Sequence, residues 1–71
     1  MTNVDLATLA VRLGRQHPPR TPGRRAAGMA YAALITTRTP QAARRALSTF
    51  GEPATMVAAA RLLRQLEREA A

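Results

Sequence analysis

Apolar residues recur at helical spacing in four stretches of the chain, and proline or glycine interrupts the pattern between them. In residues 3–15, Leu6, Leu9, Ala10 and Leu13 mark one face. In residues 40–50, Ala42, Ala43, Ala46, Leu47 and Phe50 form one stripe, with Gln41, Arg44, Arg45 and Ser48 opposite. Residues 53–69 place Met56, Ala59, Ala60, Leu62, Leu63 and Leu66 on an arc roughly 160° wide. Arg61, Arg64 and Arg68 gather on its far side, and Glu67 falls near the apolar rim in a last turn where fraying makes it tolerable. Residues 22–37 differ. From Ala26 to Ile35 there is no charge, and apolar residues point in every direction. A helix apolar all round is normally enclosed by others, so this one is expected at the centre. Gly28 and the alanines beside it should let neighbours approach closely.

The boundaries have chemical reasons. Thr2 with Asp5 reads as a capping box, with Asp in place of Glu. Thr21-Pro22 and Thr39-Pro40 each set a capping threonine before a proline at the first helical position. Glu52-Pro53 repeats the device, with Gly51 as the stop of the preceding helix, and Pro18-Pro19 makes the first connection extended. The repeated Arg-Thr-Pro at 20–22 and 38–40 is helix punctuation, because the flanking sequences diverge. β-Branched and aromatic residues are few and never alternate, so strands are not expected. The expected fold is all-α: one domain over residues 1–71, a four-helix bundle with helices near 3–15, 22–37, 40–50 and 53–69, the second central.

The first helix carries a surplus. Val4, Ala7 and Val11 widen its apolar arc to roughly 220°, more than an up-and-down bundle of this size needs. They either cover a neighbouring helix or face a second copy. A domain this small leaves about 40% of its unfolded surface exposed and gains from pairing, so a homodimer through Val4, Ala7 and Val11 is expected.

Composition narrows the chemistry. The hydrophobic share of 46% suits a globular protein. With no Cys, disulfides, iron–sulfur clusters and thiolate zinc sites are excluded. With no Lys, there is no Schiff base and no Walker lysine. His17 is the sole histidine, the carboxylates are scattered, and Tyr31 suits a core or rim position better than a catalytic phenol. No enzyme activity and no cofactor are expected. No apolar run nears the roughly 20 residues of a membrane span, and residues 1–5 lack a signal-peptide pattern. The basic faces carry no bulky apolar side to insert into a bilayer. A cytoplasmic protein without membrane contact is expected.

The charge is the strongest signal. All 11 basic residues are Arg, against Asp5, Glu52, Glu67 and Glu69, for a net +7. Part of this suits a GC-rich, Ala-rich coding sequence. Yet Arg12, Arg15, Arg20, Arg24 and Arg25 cluster around His17, where a helix begins and its N–H groups and dipole favour anions. Thr21 as cap and Gly23 without a side chain would suit a phosphate there. The expected nucleic-acid-binding set is Arg12, Arg15, Arg20, Thr21, Arg24, Arg25, Arg61, Arg64 and Arg68, holding duplex DNA mainly by its phosphates. A helix-turn-helix over residues 40–69 would start its second helix with Pro53-Ala54-Thr55-Met56, which offers no base reader. Single strands need stacking aromatics, and Tyr31 and Phe50 are the only two. The alternative is an adaptor that docks its arginine surface on an acidic protein partner. One continuous arginine face favours DNA, and an even scatter favours the adaptor.

Overall fold

A computed structural model describes residues 2–49 and 53–70, and these form four helices and no strand. They are α1 (Asn3–Gly14), α2 (Pro22–Ile35), α3 (Pro40–Leu47) and α4 (Pro53–Ala70). Helix α2 packs on all three others and is the central element.

The helix starts follow the expected chemistry. The Thr2 hydroxyl accepts the Asp5 N–H at 3.3 Å, and the Asp5 carboxylate accepts the Thr2 N–H at 3.3 Å, completing a capping box. Thr21 and Thr39 accept the N–H groups of Arg24 and Ala42, with prolines in the first turn. The first three helices end earlier than periodicity alone suggests, and α4 runs one residue further. Helix α2 ends at Ile35, and just past it the Thr36 and Thr37 hydroxyls donate to the carbonyls of Ala32 and Ala33, at 2.8 and 2.7 Å. Helix α3 stops at Leu47 rather than residue 50. There the Ser48 and Thr49 hydroxyls, at 2.7 Å from the carbonyls of Arg45 and Ala46, tighten the chain into three-residue turns. The expected roles of Phe50, Gly51 and Glu52 lie outside the described residues.

The core is thin and built on Leu6, Leu34, Leu47, Leu63 and Leu66, each fully buried among alanines. Its seating of α1 departs from the periodic reading. Leu6, Ala7, Ala10 and Gly14 are the buried residues of α1, together with Asn3, whereas Leu9 and Leu13 flank the core half-exposed. The small side chains face inward because α1 lies close on α2: a Cβ at Gly14 would stand 3.0 Å from the Ala27 Cβ. Asn3 ties the other end of this pair. Its Nδ2 donates to the Thr37 carbonyl at 2.9 Å and the Thr37 hydroxyl at 3.0 Å.

Further expectations are corrected. Gly28 is not a close-approach point, since nothing lies within 4 Å of where its Cβ would be. Helix α2 is central but not enclosed, because Tyr31 and Ile35 open to solvent. Glu67 is held by an ion pair with Arg44 of α3 rather than tolerated by fraying, and Arg44 is accordingly half-buried rather than solvated. Gly28→Ala should therefore raise stability by about 0.5–1 kcal/mol, whereas Gly14→Val should lower it by about 2 kcal/mol or more. Urea denaturation of the two variants checks this, and equal effects would contradict the close approach of α1 and α2.

Candidate nucleic-acid interface

The α1–α2 connection gathers the arginines. After α1, the Gln16 and His17 N–H groups bond back to Leu13 and Gly14, each at 3.1 Å, and Pro18-Pro19 then carries the chain across. Arg20 adopts φ 67°, the left-handed region that costs an L side chain roughly 1–2 kcal/mol. The Thr21 hydroxyl donates to the Pro18 carbonyl at 2.7 Å while capping α2, so the turn is closed on both sides. Thr21 thus serves the chain itself, and its hydroxyl proton is committed.

The start of α2 is a poorer backbone anion site than expected. Pro22 has no N–H, and that of Arg24 goes to Thr21 at 3.4 Å. The His17 ring stands against Gly23, so close that a Cβ there would lie 2.5 Å from Nδ1. What faces solvent around this turn is guanidinium. Arg12, Arg15, Arg20, Arg24 and Arg25 are all exposed. Arg24 is steadied by donating from Nη1 to the His17 carbonyl at 3.3 Å.

Tertiary packing joins this cluster to α4. Arg61 and Gln65 line the same hollow as His17 and Gly23, and Arg61 borders the open face shared by Arg64 and Arg68. On the other side, Arg24 shares a hollow with Val11 and Tyr31, which leads to the groove flanked by Arg12 and Arg15. Arg61 thus joins the α1–α2 connection to Arg64 and Arg68, Arg12, Arg15 and Arg24 border the hollows on the α1 side, and Arg20 and Arg25 are exposed on the connection itself. Arg38 and Arg45 are exposed elsewhere, and Arg44 is bound to Glu67. Among the described residues that is the only ion pair. Asp5 is held in its capping box, and Glu69 accepts from Gln65 at 3.3 Å. No described carboxylate pairs with the arginine band.

The residues expected at a dimer face divide. Val4 and Val11 are 71% and 37% exposed, but Ala7 is buried against the core and forms the floor of the groove between them. Tyr31 and Ile35 of α2 join that groove, which the reading of α1 alone missed. Both lie in the uncharged run from Ala26 to Ile35, whose all-round apolar character does not say which side stays open.

Among the described residues no three His, Asp, Glu or Cys gather to hold a metal, and no helix is long and apolar enough to cross a membrane. Comparison with protein-family models, curated proteins and solved structures finds no match to this chain. Arg20→Gly should separate the two parts of the connection. It removes a cation and relieves a left-handed side chain, so stability should hold or rise by up to about 1 kcal/mol. A fall in melting temperature would show that the Arg20 side chain, rather than its backbone, holds the turn.

Proposed function

We propose that this protein is a small accessory or regulatory protein that holds duplex DNA by its phosphates. The observation that carries this reading is the arginine band around the α1–α2 connection and α4, in which Arg12, Arg15, Arg20, Arg24, Arg25, Arg61, Arg64 and Arg68 are all exposed. None of them pairs with a carboxylate among the described residues. Such a surface gains by releasing the counterions condensed on a polyanion, and guanidinium forks match phosphate oxygens. The first turn of α4 supports phosphate binding over base reading. Pro53 and Ala54 offer no donor there and Thr55 is buried. A twofold pair of such chains would present two arginine bands to one duplex.

The experiment is fluorescence anisotropy on a duplex of arbitrary sequence across a salt series. Replacing Arg20, Arg24 and Arg25 with Ala should weaken binding by a similar factor for every sequence. It should also flatten log affinity against log salt by about 0.9 for each phosphate no longer neutralised. Equal or tighter binding to an acidic polypeptide of matched charge would instead assign the band to an acidic protein partner. Unchanged duplex affinity in the triple variant would reduce the α1–α2 connection to ordinary solvated surface.

A further inference from the structure

Helices α1 and α2 leave between them an apolar groove of about 420 Å³. Of the five exposed large hydrophobic side chains described, four (Val4, Val11, Tyr31 and Ile35) line it. Apolar side chains scattered singly over a surface need no explanation. Four on one groove do.

We propose that this groove is the face of a symmetric dimer, in which α1 of a second copy lies antiparallel along α1. The proposal does not rest on the nucleic-acid reading, although Arg12 and Arg15 enter both. Charge along α1 selects both the occupant and its direction. Val4, Thr8, Val11 and Arg15 recur at intervals of four, three and four, the seam spacing of paired helices. Asp5 and Arg12 stand seven residues apart along one flank of that seam. Antiparallel pairing sets Asp5 of each copy beside Arg12 of the other, giving two pairs of opposite charge. Parallel pairing would set the two Asp5 on opposite flanks of the seam, as it would the two Arg12, and would bring neither to an opposite charge. Both capping bonds from Thr2 use Oδ2 of Asp5, so Oδ1 remains for the second copy.

In this register Thr8 lies opposite Val11 of the second copy, and Val4 opposite its Arg15. The aliphatic stem of that arginine covers the valine while its guanidinium stays in water. An acidic helix from another protein would satisfy Arg12 and Arg15 but would face Asp5 with like charge. A second copy pairs Asp5 with Arg12 and lays the stem of Arg15 over Val4, and it presents the same residues from both sides as a closed dimer requires.

The absence of cysteine makes the test direct. Val4→Cys and Arg15→Cys variants are oxidised mildly, each alone and as an equal mixture, without nucleic acid. The native chain is sedimented between about 1 and 100 µM, the range of modest helix-pair interfaces. The expected result is a native dimer and a crosslink in the mixture, with little in either variant alone. Val11→Glu, at an exposed position, should weaken the dimer about tenfold or more while helix content stays unchanged. Crosslinking of each variant with itself would show a parallel pair and overturn the proposal. A native chain that stays monomeric across the range would overturn it too, whether or not an acidic helical peptide then binds the groove. Because no DNA is present, these outcomes are independent of those of the salt series.

Discussion

Everything in this fold depends on how closely α1 lies on α2. At Gly14 there is room for a hydrogen and no more, since a Cβ would meet that of Ala27 at 3.0 Å. At the other end the Asn3 amide nitrogen donates twice to Thr37. Between them Ala7 and Ala10 are buried with side chains of one methyl each. Dispersion falls so steeply with distance that a seam of small residues holds only when the backbones nearly touch. That approach also sets the rotation of α1. With Ala7, Ala10 and Gly14 inward, Leu9 and Leu13 move to the edge of the core and Val4 and Val11 move out of it.

The same seam concentrates charge. Antiparallel packing brings the end of α1 back to the start of α2, so five arginines converge on one short connection. The hollow lined by His17, Gly23 and Arg61 joins α4 to this connection. The one described ion pair sits elsewhere, between Arg44 and Glu67, where it fastens the eight-residue α3 onto α4. Like charges held together on a body with a thin core oppose the folded state. A polyanion bound there would relieve that repulsion, so association and folding would reinforce each other.

Surface chemistry and core construction are therefore separate in this chain. The buried leucines and alanines need nothing from the arginine band, and Thr21, Thr39 and the Thr2–Asp5 box secure the helix starts locally. Changes in the band can be made at little cost to the fold, with Arg24 the exception through its bond to the His17 carbonyl. The groove between α1 and α2 is different in kind, since its floor at Ala7 is part of the core itself.

The four helices, their starts and the central place of α2 were legible in the sequence, because caps, prolines and periodic apolar positions act within a few residues of one another. The surplus apolar arc of α1 was legible too, but not that Val4 and Val11 stay exposed while Ala7 is buried. The rest was decided by tertiary structure. Thr36, Thr37, Ser48 and Thr49 look neutral by periodicity but lie just past the ends of their helices, with their hydroxyls bonded back to carbonyls. Glu67 reads as a misplaced charge until α3 brings Arg44 to it. Gly14 and Gly28 are alike as letters, yet one is crowded and the other open. His17 stands against the helix start that the sequence offers as an anion site, and Tyr31 and Ile35 complete a groove begun by α1. The reason is common to all of these. Local order depends on neighbours along the chain, whereas packing distance, ion pairing and exposure depend on neighbours in space, which only the docking of one helix on another defines.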